Sequence, residues 1–201
     1  MAKKQFPQFA SYISMALTPM VLTGRMIKKD NPDAKVVFIG PCAAKKLEAS
    51  RKSIRSDIDF VLTFEEVMGM FEAKGIDLSA VEGGEPLEEG TNSGRGFAVS
   101  GGVAKAVKDL INKKHPEIDV KIQNAEGLKN CRTMLMMAKA GRLDGYLLEG
   151  MACPGGCVAG AGTLQPITKS SVLVKKYANE NEKQTSDESA YSDRLHELSN
   201  S

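Results

Sequence analysis

The sequence predicts an α/β fold with mostly parallel strands flanked by helices. Two observations carry that prediction. Short β-branched and aromatic runs at residues 35–40, 58–62, 118–122 and 145–148 read as strands bounded by turn or cap residues. Segments of helical period lie between them, and alternation of strand and helix is the pattern of a parallel sheet with helices on its faces.

Taken in order, Ile13, Leu17, Met20, Val21, Met26 and Ile27 recur at roughly helical spacing over residues 9–29, with a break at Thr18-Pro19. Residues 35–40, KVVFIG, read as a buried strand between Asn31-Pro32 and Gly40-Pro41, followed by a helix from near Cys42 to about Lys52. After the strand at 58–62, Thr63 with Glu66 three residues later forms a capping box for a helix ending near Gly75. Residues 81–96 are rich in Gly and Glu without a sustained period and read as loop. They lead through Phe97, Ala98 and Val99 to a Gly101-Gly102 turn and a helix over 103–114. A strand at 118–122, a helix over 128–140 closed by Gly141, and a buried strand at 145–148 follow. From about residue 175 the chain is polar and charged, so it reads as a disordered tail or weak helix after one domain over 1–174.

A chain of 201 residues is long enough for one large domain or two small lobes. Its formal net charge of +2 gives no excess that would recruit nucleic acid or an anionic membrane. No apolar run reaches the roughly 18 residues of a membrane helix, and residues 1–8 lack a signal peptide's apolar region. The expectation is a cytoplasmic protein with no nucleic-acid or membrane partner. In that reducing setting its four cysteines, Cys42, Cys131, Cys153 and Cys157, point to metal or redox chemistry rather than disulfides.

Cys153 and Cys157 flank Pro154-Gly155-Gly156, directly after a strand. Glycines there let the backbone curl tightly, approach a bulky anion and direct N–H groups at its sulfurs. The same residues also suit a tight turn with two buried thiols. Cys42 sits at a second strand end, where a helix begins and where ligands collect in open α/β sheets. Lys45, three residues on, shares its helical face and could aim an ammonium at the same ligand, against the default of a solvated surface lysine. Three thiolates with one further ligand also suit structural zinc, although His115 and His196 read as surface groups. Cys131, on a Met-rich amphipathic helix, reads as packing.

At these residues the sequence resembles the iron-only hydrogenases. Pro41-Cys42-Ala43-Ala44-Lys45-Lys46-Leu47-Glu48 matches their second signature, Pro-Cys-x-x-Lys-x-x-Glu. Glu149-Gly150-Met151-Ala152-Cys153-Pro154-Gly155-Gly156-Cys157 matches the third, Glu-x-Met-Ala-Cys-x-x-Gly-Cys. With a further likeness around Thr18-Pro19-Met20 and residues 97–103, the resemblance covers most of residues 6–166.

The resemblance implies the C-terminal active-site domain of that family and its cofactor, a 4Fe-4S cluster joined to a di-iron subcluster once matured. It gives Cys42, Cys153 and Cys157 as metal ligands, with Cys157 bridging to the di-iron unit. Lys45 would hydrogen-bond a cyanide, Met151 would pack beside the di-iron unit, and Pro41, Phe97, Gly101 and Gly102 would complete the cofactor pocket. Ser14 aligns loosely with a proton-path serine and reads equally as a helix-surface residue. The substrates implied are dihydrogen and protons, with a ferredoxin-like electron carrier or N-terminal iron-sulfur domains as partners.

The departures are equally specific. The family's first signature, with adjacent cysteines, is not matched, so the expected fourth cluster ligand and proton-passing thiol have no counterpart here. Gly40 stands where many active members carry methionine, and Thr163-Leu164 is extra in the closing segment, features closer to the family's sensory branch. Three functions follow as expectations: part of a hydrogenase, inactive as an isolated fragment; a sensory or regulatory iron-sulfur module; or a structural zinc module.

Overall fold

The computed structural model describes residues 1–84 and 89–198. The chain divides into two compact units. One comprises Ala16–Glu88, Gly160–Gln165 and Arg194–Ser201; the other comprises Met1–Met15, Glu89–Ala159 and Pro166–Asp193.

The unit that carries Cys42 contains α2 (Pro19–Asp30), β1 (Val37–Ile39), α3 (Ala44–Ala49), β2 (Phe60–Leu62) and α4 (Phe64–Ala73); α1 (Ala2–Gln5) belongs to the other unit. The helix predicted to begin before Thr18-Pro19 instead starts at Pro19, which suits a first helical position because its missing N–H would have had no intrahelical partner. β1 and β2 pair in parallel, Val37 opposite Phe60 and Ile39 opposite Leu62. With only two strands one face stays open, so Val37 and Ile39 are exposed where a buried strand was expected. The core gathers Met20, Val21, Val36 and Ile58, with Phe38, Ala49, Ile54 and Val61 against it. Gly24 is required there, since a side chain on α2 at that point would meet Ile58 at 2.5 Å and the Asp57 carbonyl at 2.8 Å. Asp59 ties α2 to both strands: its carboxylate takes hydrogen bonds from the Lys28 ammonium and the Val36 N–H, each at 2.8 Å, and its pKa falls from 3.8 to about 2. The Thr63–Glu66 capping box is present in full at the start of α4.

The second unit contains α1, α5 (Asn92–Gly96), α6 (Gly102–Lys114), β3 (Lys121–Glu126), α7 (Leu128–Lys139), β4 (Tyr146–Met151) and α8 (Ile167–Asn179). β3 and β4 run parallel, from Lys121 opposite Tyr146 to Glu126 opposite Met151. β3 lies three to four residues later than the sequence suggests, and β4 starts one residue later and continues through Glu149 and Gly150 because β3 supplies a partner along that whole length. Ala104, Ala106, Cys131, Met134, Leu143, Val158 and Ala178 are buried in this unit.

One further segment differs from expectation. Within the stretch read as loop, residues 85–88 lie outside those described, and Asn92–Gly96 forms α5. Its low helix propensity is offset by the Thr91 hydroxyl, which caps it, and by the Asn92 and Ser93 N–H groups donating to the Lys183 and Gln184 carbonyls. Residues 175–198 fall where a disordered tail or weak helix was expected. They hold the end of α8 and two 3-10 turns, with Ala178 and Thr185 buried. Polar contacts do the anchoring: Lys113 reaches Thr185 at 2.9 Å and Glu188 at 2.7 Å, and Lys183 pairs with Glu89 at 2.9 Å.

Candidate metal centre

The loop at the carboxyl end of β4 holds two of the three candidate ligands. After Met151, the last paired residue, the chain turns through Gly155 and Gly156, whose φ angles of +90° and +94° lie in the region only glycine enters freely. Gly156 N–H donates to the Cys153 carbonyl at 3.1 Å, and Gly155 N–H donates to the Glu126 carboxylate at 2.9 Å. The loop is fastened to the turn before α6 by two backbone bonds: Ser100 N–H to the Gly155 carbonyl and Val158 N–H to the Ala98 carbonyl, both at 3.1 Å. A Cβ on Gly156 would meet the Ser100 nitrogen at 2.5 Å and the Ala98 oxygen at 2.8 Å, so this approach demands glycine. Cys153 and Cys157 are half-buried, and neither is in a disulfide.

Phe97, Gly101 and Gly102 belong to that same turn, which a buried carboxylate fixes from behind. Glu149, only 8% exposed, accepts from Gly101 N–H at 2.8 Å and from Ala104 N–H at 2.6 Å. α6 opens at Gly101, which has no side chain to cap it, and Glu149 from β4 supplies the acceptors instead. We expect Glu149→Ala to leave two buried donors unpaired and cost about 2–5 kcal/mol. Chemical denaturation measures it, with Glu149→Gln, which keeps one acceptor, falling between. The consequence for the loop is that the turn it leans on is itself rigid.

Cys131 lies near this loop without joining it. The thiol is buried and donates to the Ala125 carbonyl at 3.4 Å and the Met151 carbonyl at 3.5 Å, and burial pushes its pKa up. A protonated, hydrogen-bonded thiol of this kind is a packing group.

In the other unit, Pro41 and half-buried Cys42 follow β1. α3 begins only at Ala44 and has six residues, and the N–H groups of Lys45 and Lys46 are taken by the Cys42 and Ala43 carbonyls. Two of the N–H groups at this helix start are therefore engaged within the chain. Lys45 pairs with Glu48 at 2.6 Å, and Glu48 also accepts from the Thr18 hydroxyl at 2.6 Å. Burial raises the Glu48 pKa, but the hydrogen bonds from Lys45 and Thr18 outweigh it and hold the carboxyl below its ordinary value. The Lys-x-x-Glu spacing is thus an i,i+3 ion pair on α3. Gly162 N–H donates to the Pro41 carbonyl at 3.0 Å, and a side chain on Gly160 would collide with that carbonyl, so segment 160–165 is seated on the residue before Cys42. Ser14 is exposed in an extended link and not on a helix.

β1, which precedes Cys42, and β4, which precedes Cys153, belong to separate two-stranded sheets. Among the described residues no group of three or more His, Cys, Asp or Glu side chains is set to hold a metal ion. What the Cys153–Cys157 loop does present is two half-buried thiols, a turn without Cβ atoms at Gly155 and Gly156, and, on a residue bonded to it, the Ser100 hydroxyl oxygen, buried with no hydrogen-bond partner among the described residues. Such a surface fits one edge of a bulky, sulfur-rich anionic group.

The family profile described as iron-only hydrogenase large subunit, C-terminal domain, matches residues 1–161. The chain belongs to this family. It is 30% identical to the periplasmic [Fe] hydrogenase large subunit of Nitratidesulfovibrio vulgaris, over 83% of this chain and 49% of that one. It is equally 30% identical to cytosolic iron-sulfur assembly component 3 of Mus musculus, over 82% of this chain and 44% of that protein. The chain therefore spans about half or less of the curated relatives it matches. Among solved structures, a variant of the [FeFe]-hydrogenase HydA1 from Chlamydomonas reinhardtii superposes with a TM-score of 0.74 at 19% identity, covering 99% of this chain and 69% of that one. The α/β architecture of short parallel sheets flanked by helices is that of the [FeFe]-hydrogenase C-terminal domain. The relatives include a periplasmic and a cytosolic protein, and no helix among the described residues is long and apolar enough to cross a membrane.

Sequence reasoning missed Glu149 as the cap of α6 and Ser100 as a buried hydroxyl. A helix opened by Gly101-Gly102, with no capping side chain of its own, is the one local sign that a distant acceptor is needed.

Proposed function

We propose that this chain is the iron-sulfur cluster-binding part of an iron-only hydrogenase domain, working in the cytoplasm, with Cys42, Cys153 and Cys157 as ligands of a 4Fe-4S cluster. The observation that carries it is the Cys153–Cys157 loop, two half-buried thiols on a glycine turn held rigidly at a strand end, in a chain of this family. Cys42 is included because residues 41–48 match the family's second signature, Pro-Cys-x-x-Lys-x-x-Glu.

When bound and matured with a di-iron subcluster, the group supplies the redox chemistry that interconverts dihydrogen with protons and electrons. The protein's part is ligation, orientation and exclusion of water. Lys45 has three N–H donors and Glu48 engages one, which leaves others for the ligand. Glu48 and Thr18 hold that ammonium in place. Pro41, Phe97, Gly101, Gly102 and Met151 wall the pocket. A ferredoxin-like electron carrier or N-terminal iron-sulfur domains exchange electrons with it.

A second reading, a non-catalytic iron-sulfur module, is favoured by the likeness to proteins named as cytosolic iron-sulfur assembly components. Iron, sulfide and zinc content with an electron paramagnetic resonance spectrum, on anaerobically prepared protein, tests the cluster itself. We expect iron and sulfide in equal amounts and a four-iron spectrum, whereas colourless protein with zinc and no iron would refute it. Hydrogen turnover after maturation then separates the catalytic reading from the non-catalytic one.

A further inference from the structure

We infer that Ser100 is a further group of the cluster site, its hydroxyl donating a hydrogen bond to a sulfur of the cluster held on the Cys153–Cys157 loop. The inference rests on the cluster-binding reading above and adds a residue to it.

The starting point is an oxygen with nothing to bond. Ser100 Oγ is buried and has no hydrogen-bond partner among the described residues. A buried hydroxyl left in that state weakens the fold, so a chain that keeps one either tolerates the loss or reserves the group for something that binds. The position argues for the second. Ser100 N–H donates to the Gly155 carbonyl, and the Gly156 Cα lies so close that a Cβ would sit 2.5 Å from the Ser100 nitrogen. Ser100 is thus fixed against Gly155 and Gly156, two of the three residues between the cysteines. On its other side Gly101 N–H is fixed by Glu149, so the backbone is held on both sides of the serine hydroxyl.

The chemistry of the missing partner follows from the loop. Thiolates and inorganic sulfides only accept hydrogen bonds, a serine hydroxyl can donate one, and bonds to cluster sulfurs are a principal means by which a protein holds and tunes such a group. A glycine turn that brings backbone close, two thiols flanking it, and one uncommitted donor on a residue bonded to that turn form one consistent set. Alanine at position 100 would lack the donor without changing the backbone.

The test compares the full chain with Ser100→Ala and Ser100→Thr, each reconstituted anaerobically with ferrous iron and sulfide and then passed over a desalting column. For apo protein, Ser100→Ala should melt at the parent's temperature or above, because it removes an unsatisfied polar group. Once reconstituted, it should lose iron about three- to tenfold faster than the parent and show altered resonance g-values, with Ser100→Thr restoring both. Equal iron loss and an identical spectrum in Ser100→Ala and parent would overturn the inference. So would a lowered apo melting temperature in Ser100→Ala, which would make the hydroxyl structural. A parent chain that takes up no iron overturns the cluster-binding reading itself, and the inference with it.

Discussion

Gly156→Ala should unfold the cysteine loop from its support and cost about 3–5 kcal/mol, a large share of a domain's 5–15 kcal/mol. Two effects add. The backbone at residue 156 has φ +94°, which a side chain resists by about 1–3 kcal/mol. The new methyl would also lie within 3 Å of Ser100 N, Ala98 O and Val99 C, all backbone atoms that cannot swing aside as a side chain would. Relief requires pulling the loop away, which breaks the Ser100–Gly155 and Val158–Ala98 hydrogen bonds, each contributing about 0.5–1.5 kcal/mol. Urea denaturation of parent and variant measures the difference. Gly69→Ala is the control: it lies within α4 with nothing within 4 Å of its would-be Cβ, and should stabilise by up to about 1 kcal/mol. If both variants behave alike, the close approach of the loop to residues 98–100 is not what holds it.

How much of this was legible depends on the range of the forces. The Thr63–Glu66 box was readable because both halves of it lie within one turn of helix. The break at Thr18-Pro19 was readable for the same reason, and α2 starts at Pro19. The end of β4 was not, because Glu149 and Gly150 read as a turn and become strand only through β3, over twenty residues away. α5 was missed because two of its five residues are glycine, and what holds it comes from residues 183 and 184. Residues 175–198 looked unanchored for a related reason: composition shows that Lys113, Thr185 and Glu188 are polar but not that they meet.

The candidate site divides the same way. Motif and local spacing identified Cys42, Cys153, Cys157 and the glycines between the last two, and the structure explains those glycines by φ and by contact. The roles of Glu149 and Ser100 depend on partners 48 and 55 residues distant, 149 minus 101 and 155 minus 100, and no local pattern encodes them. Lys45 shows the converse. Its spacing from Cys42 suggested a ligand contact, while the same helical turn gives it Glu48 as a neighbour, and that pair is what the fold makes visible.

The central claim is that Cys42 shares one cluster with Cys153 and Cys157, and iron retention across single cysteine variants tests it most directly. The parent chain, Cys42→Ser, Cys131→Ser, Cys153→Ser and Cys157→Ser would each be reconstituted anaerobically, desalted and assayed for iron and sulfide. The account predicts about four irons and four sulfides bound per parent chain, as a cubane requires, and a loosely held cluster because three thiolates leave one iron open to solvent or small thiols. Cys42→Ser, Cys153→Ser and Cys157→Ser should each lose most of that iron, and Cys131→Ser should retain it. Parent-level iron in Cys42→Ser, or iron loss in Cys131→Ser to match the others, would contradict the account.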